Sequence, residues 1–326
     1  MHIPDGYISP ETCLLMYAVA VPVWAYAAKQ VITHVKKDPE RLSLIGVGAA
    51  SAFLIMMFNV PIPGGTSAHA VGGTILAILI GPWEAVISLS ITIAIQALVF
   101  GDGGILTYGA NVINMAIIMP LFGYAIYRLA QRFKHPLLGV FFGSYIGINL
   151  AALFVALELG LQPILFHTAS GQPLYNPYSL AVCIMAMCGS HLLVVGWVEA
   201  FFALVIYKYI QMHYSSLIIT EDQGRPLRPL ALGMVTLAIL TPLGTLVTQP
   251  AWGEWAADSF KNGAPLGIKH ALQYHALFSG YRLGSLKSFS SALIISLLII
   301  LLAIIIVRGI HYVGKKQASN NSAKEF

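Results

Sequence analysis

The chain has 326 residues, 57% of them hydrophobic and only 10% charged, with a mean hydropathy of +0.77 and a formal net charge of +5. That balance excludes an ordinary water-soluble domain. Because the Lys and Arg fall in a few short loops rather than over one surface, it also excludes nucleic-acid binding as the meaning of the positive charge. Apolar runs of about 20 residues, long enough to cross a hydrocarbon core as helices, recur along most of the chain. The reading is therefore an all-α, multi-pass integral protein of the cell (inner) membrane, with the lipid bilayer as its main solvent.

No basic region precedes the first apolar run, so the pattern of a cleavable secretory signal is missing and Met1 and His2 are expected to persist in the mature protein. The three cysteines, Cys13, Cys183 and Cys188, form no CxxC pair and no disulfide framework. The first span is predicted from about Leu14 to Val31, followed by a basic loop with Lys36, Lys37 and Arg41. The second, about Leu44 to Val60, ends at Pro61-Ile62-Pro63-Gly64-Gly65, which forbids regular helix. A short third span, about His69 to Ile80, places His69 at its outer mouth. It turns at Gly81-Pro82-Trp83 into a fourth ending at Phe100-Gly101-Asp102-Gly103-Gly104. A brief apolar segment flanked by Gly and Pro is typical of a helix that lines a cavity.

The fifth span, about Leu106 to Tyr127, leads into Arg128, Arg132 and Lys134. The sixth, about Leu137 to Leu159, and the seventh, about Leu180 to Tyr209, flank a loop free of Lys and Arg. The eighth, about Leu230 to Val247, and the ninth, about Ser288 to Val307, enclose an outer loop of roughly 40 residues. With the N-terminus outside, 14 of the 18 Lys and Arg lie inside, and the other four all fall in that long loop. The polar stretch ending Arg225-Pro226-Leu227-Arg228-Pro229 divides the chain into a seven-helix bundle over residues 1–215, a cytoplasmic linker over 216–229, and two further transmembrane helices over 230–326 with their long extracytoplasmic loop.

At the start of the chain, the Met1 amine, the His2 main-chain nitrogen and the His2 Nδ1 can close two fused chelate rings on one cation, leaving a fourth in-plane position that His69 could fill. Four planar nitrogens suit Ni(II), Cu(II) or low-spin Co(II), whereas Mg²⁺ and Ca²⁺ prefer oxygen and zinc a tetrahedron. The bland alternatives are a frayed terminal His2 and a hydrogen-bonded His69. Both histidines fall on one face of the membrane, and Pro4 with Gly6 lets the terminus bend back into the bundle.

Asn111 and Asn114, three apart on one face of the fifth span, could orient a ligand histidine or simply bond between helices. His191 and Glu199 are ionisable groups inside the seventh span, and Asp102 reads as a turn or cap residue. Gly309 to Lys316 nearly spells a phosphate-binding loop but has Lys where the magnesium-binding Ser or Thr belongs, and it trails a membrane span. No catalytic motif appears.

The segments Met-His-Ile-Pro-Asp-Gly at 1–6, Pro-Gly-Gly-Thr-Ser-Ala-His at 63–69, Leu-Ile-Gly-Pro-Trp at 79–83, Phe-Gly-Asp-Gly-Gly at 100–104 and Gly-Ala-Asn-Val-Ile-Asn-Met at 109–115 resemble the CbiM/NikM family. These are the substrate-capture (S) components of energy-coupling-factor transporters for cobalt and nickel. The resemblance spans about residues 1–215. It implies metal binding by Met1, His2 and His69 with support from Asn111 and Asn114, Co²⁺ or Ni²⁺ as transported substrate, and no organic cofactor. It further implies two cytoplasmic ATPase subunits and a transmembrane coupling (T) subunit as partners, so the chain itself is not expected to be an enzyme. The last two spans and Ala251-Trp252-Gly253-Glu254-Trp255 are similar in layout to the accessory CbiN/NikN component. The competing readings are a membrane metalloenzyme that uses a His2/His69 metal to activate water and an ion-coupled secondary transporter.

Overall fold

A computed structural model describes residues 1–62, 66–213, 250–260, 263–272, 274–281, 291, 293–301 and 305. The expected linker, the eighth span, the loop at 63–65 and the near-miss phosphate loop lie outside these residues. Helix α1 (Pro10–Lys37) begins where the Ser9 hydroxyl accepts the Thr12 amide at 3.1 Å with proline in the first turn, and it ends on Lys36 and Lys37, which complement the helix dipole. Next come α2 (Glu40–Met56), the antiparallel strands β1 (Asn59–Ile62) and β2 (Thr66–His69), α3 (Gly73–Ile80) and α4 (Pro82–Ile95). The remaining helices of the bundle are α5 (Tyr108–Val112), α6 (Met119–Arg132), α7 (Pro136–Gly160), α8 (Gln162–Leu165), α9 (Leu180–Ser190) and α10 (Gly196–His213).

Wider π-helical turns at Gln96–Phe100, Ile113–Ile118 and His191–Val195 continue α4, join α5 to α6, and join α9 to α10. The protein is thus mostly helical. Among the described residues five continuous helical segments are long and apolar enough to span a membrane: Pro10–Lys37, Pro82–Phe100, Tyr108–Arg132, Pro136–Leu165 and Leu180–Met212.

The second expected span lies earlier in the chain than the hydropathy suggests, the third is shorter, and the chain is not purely α. α2 stops at Met56, and His69 sits in a strand four residues before α3 begins. Pro61 removes an amide donor from this stretch and favours extended backbone before it, which apolar composition alone does not reveal. Extended chain at this depth is tolerated because protein surrounds it: Ser67, Ala68 and His69 are all buried.

The centre of the bundle is the contact of α6 with α7. Gly123 and Gly143 bring the two backbones so close that a Cβ on Gly143 would lie 2.5 Å from the Gly123 carbonyl. This packing stacks α3, α4 and α7 around a core that includes Leu76, Leu89, Ile93, Met119 and Ile148.

At the end of the bundle where α1, α2 and α4 meet, buried Glu84 accepts from His34 Nδ1 at 2.7 Å and from Arg41 Nη1 at 3.1 Å. One carboxylate ties three elements together. Replacing it with alanine leaves Arg41 and His34 without their shared partner, so Glu84→Ala is expected to lower the unfolding temperature in detergent. The loss should fall below the about 3–5 kcal/mol typical of a fully buried pair, because both partners reach solvent.

Candidate metal centre

The first residues run into the interior: Met1 and His2 are 4% exposed and Ile3 is fully buried. What holds them there is a clamp on main-chain atoms. The Ile3 amide donates to Asn111 Oδ1 at 2.7 Å, while Asn111 Nδ2 donates back to the Ile3 carbonyl at 3.1 Å. The Gly104 amide at 3.0 Å and the Thr107 hydroxyl reach the same carbonyl. The Asp5 carboxylate accepts the amides of Ile105, Leu106 and Thr107 at 2.9–3.1 Å, which are donors just ahead of α5. Gly104 is required here, since a Cβ would collide with Asp5.

This clamp delivers three nitrogens to one place. The terminal amine lies 3.7 Å from Glu254 Oε1. The His2 Nε2 pairs with Gln96 Oε1 at 3.1 Å, and Nδ1, the ring nitrogen that can chelate together with the main chain, lies 3.3 Å from Asp102 Oδ1. Asp102 also accepts the Tyr281 hydroxyl at 2.6 Å. Burial works to raise the Asp102 carboxyl, but His2, the Tyr281 hydroxyl, His69 and the terminal amine outweigh it and hold the group below its usual value. Burial pushes Glu254 the other way, above the usual carboxylate range, with the amine partly offsetting it.

The fourth nitrogen comes from β2. The His69 and His2 rings have centroids 5.3 Å apart. The His69 Nδ1 donates to the Ala70 carbonyl at 3.0 Å, which assigns the proton to Nδ1 and leaves Nε2 as a free lone pair. Nε2 is buried and has no hydrogen-bond partner among the described residues. Burial, the terminal amine and His2 together hold this imidazole well below its usual pKa. Among the described residues no three His, Cys, Asp or Glu side chains gather at metal-ligand spacing. A full donor set at this place therefore draws on the amine and the main chain as well as on side chains.

Met1, His2 and His69 are thus brought together. The two asparagines have different partners: Asn111 grips the Ile3 peptide, and Asn114 donates to Glu158 Oε2 at 2.7 Å one turn further along. His191 is buried, with Nδ1 against the Met187 carbonyl at 2.7 Å. Asp102, read from sequence as a turn residue, is a direct neighbour of His2. Gln96, Glu254 and Tyr281 escaped sequence reasoning. The one available signal for Gln96 was a lone amide inside an apolar span, and Glu254 stood out only within its tryptophan-rich stretch.

The sequence profile of CbiM, described as the cobalt uptake substrate-specific transmembrane region, matches residues 2–217. The chain is 47% identical over 321 residues to a probable fused nickel transport protein, LarMN, of Lactiplantibacillus plantarum, covering 96% of this chain and 98% of that one. It is 42% identical over 272 residues to the fused nickel transport protein NikMN of Rhodobacter capsulatus, covering 81% of this chain and 78% of that one. A crystal structure of a truncated transition metal transporter, 55% identical, superposes with a TM-score of 0.62 over 65% of this chain and 99% of its own.

Because Asn111 holds both polar groups of Ile3, Asn111→Ala is expected to free the hook and weaken binding of the cognate ion by about 10–100-fold, the usual cost of losing an outer-sphere support. Calorimetric titration of the purified protein checks this.

Proposed function

The chain belongs to the CbiM family, in the fused arrangement of its nickel relatives, and from that premise we propose that it captures Ni²⁺ from outside through the Met1 amine, the His2 main-chain nitrogen and Nδ1, and the His69 Nε2. It is a multi-pass membrane component of nickel or cobalt transport. The observation that carries the finer reading is the buried His69 Nε2, which has no hydrogen-bond partner among the described residues, beside the His2 ring. A nitrogen lone pair held out of water costs free energy unless something binds it.

Nickel is favoured over cobalt on two grounds. Planar nitrogen coordination with an ionised amide suits Ni(II), and the two fused relatives carry nickel transport in their names. The ion exchanges its water shell for nitrogen and releases the protons of its ligands. Asp102 and Glu254 flank the donors and offset the charge that remains.

The wider assembly belongs to the same reading. Transport is driven by cytoplasmic energy-coupling-factor ATPases through a transmembrane coupling subunit, and their movement reorients the bundle to release the ion inward. Residues 1–215 form the capture unit, 216–229 the cytoplasmic linker and 230–326 an accessory unit of the CbiN/NikN type.

One residue added ahead of Met1 converts the amine into an amide and pushes it off the ion. Tight Ni²⁺ binding is expected to vanish in that variant, and His69→Ala is expected to weaken it independently. Titration with Ni²⁺, Co²⁺, Cu²⁺ and Zn²⁺ provides the readout. Full Ni²⁺ affinity in the extended protein would sink the chelate.

A further inference from the structure

Glu199 lies on α10, fully buried and 130 residues from His69 in the sequence, and among the described residues it has no hydrogen-bond partner of opposite charge. Its Oε2 accepts the Val71 amide at 2.8 Å, and its Oε1 and Oε2 accept the Gly72 amide at 3.0 and 3.2 Å. These N–H groups lie at the start of α3, where Gly72, at φ +75°, has no side chain with which to cap the helix. A carboxylate suits the position because two oxygens meet two adjacent donors.

The decisive detail is which peptide is gripped. The Val71 N–H and the Ala70 carbonyl belong to one planar group. Its N–H faces Glu199, and its oxygen accepts His69 Nδ1 at 3.0 Å. Fixing one end of a rigid plane fixes the other. Drawing on the N–H also polarises the carbonyl and strengthens its hold on the imidazole. We propose that Glu199 is a positioning residue for metal capture: acting through the Ala70–Val71 peptide, it fixes the His69 ring and tautomer so that Nε2 is presented to the ion. Metal-bound histidines ordinarily have their second nitrogen held by a carboxylate or a carbonyl. Here a carboxylate acts through a carbonyl.

This inference rests on the reading of His69 as a ligand, so the two are tested together. Ni²⁺ affinity is measured for the full-length protein, Glu199→Gln, His69→Ala and the double variant, with unfolding temperatures alongside. Glutamine can accept one of the two amides but turns an NH₂ toward the other, so Glu199→Gln is expected to lower affinity by about 10–100-fold. In the His69→Ala background, which keeps the three N-terminal nitrogens, the same change is expected to cost nothing further, because its effect passes through His69.

An equal loss in both backgrounds would assign Glu199 to general stability and overturn the proposal, as would unaltered affinity in Glu199→Gln. If His69→Ala alone bound like the parent protein, the ligand reading itself would fall, and this inference with it. Glu199→Asp gives a second check. It keeps the charge but is too short to hold both amides, and it is expected to behave like Glu199→Gln; wild-type affinity in Glu199→Asp would count against the peptide relay.

Discussion

A chain end carried into the middle of a membrane protein brings main-chain donors and acceptors that water can no longer satisfy, and the candidate metal centre depends on how Ile3 and Asp5 meet that constraint. The Asn111 side chain pairs with Ile3 through one donor and one acceptor, much as a neighbouring strand would. Asp5 takes three amides that the approach to α5 leaves free. Each side resolves the other's deficit. Met1 and His2 then have little freedom left, and the cost of ordering the terminus is met in folding.

The other half of the centre is built on the same logic with different parts. β2 runs as extended chain inside the bundle, paired with β1, and breaks into α3 at Gly72. The exposed polar groups at that corner are met by His69 Nδ1 on a carbonyl and by Glu199 on two amides. The His69 Nε2 is buried with no hydrogen-bond partner among the described residues, and its ring lies 5.3 Å from that of His2.

The membrane class, the basic loops and the long spans were legible in the sequence because hydropathy and charge are averages over many residues. Met1 and His2 were legible as a possible chelate, since an amine, an amide and an imidazole in consecutive positions can close around one cation whatever the fold, and the structure brings the His69 ring beside that of His2. The β1–β2 hairpin was not legible: Pro61 and Pro63 signal an interruption but not its shape. Asn111 was read with Asn114 as able to orient a ligand histidine or to bond between helices; in the structure its partner is the Ile3 peptide group, which leaves no mark in the sequence. Gln96 and Asp102 depend on the π-helical turn Gln96–Phe100, where the Asp102 amide returns to the Gln96 carbonyl at 2.9 Å and brings the two side chains to the same ring. No periodicity of 3.6 anticipates that.

Several contacts around the hook come from beyond residue 217, where the family match ends. Glu254 meets the terminal amine, the Trp255 carbonyl accepts the Tyr7 hydroxyl at 2.7 Å, and Tyr281 stacks on Phe100 at 4.8 Å while donating to Asp102. The carboxylate beside the amine and the hydroxyl on the carboxylate beside His2 are therefore supplied by the second part of the chain. The charge balance around the hook is thus shared between the two parts, whereas the main-chain clamp through Ile3, Asp5 and Asn111 lies wholly within the first. Fusing the parts in one chain keeps the groups that neutralise the hook at high effective concentration beside the groups that position it.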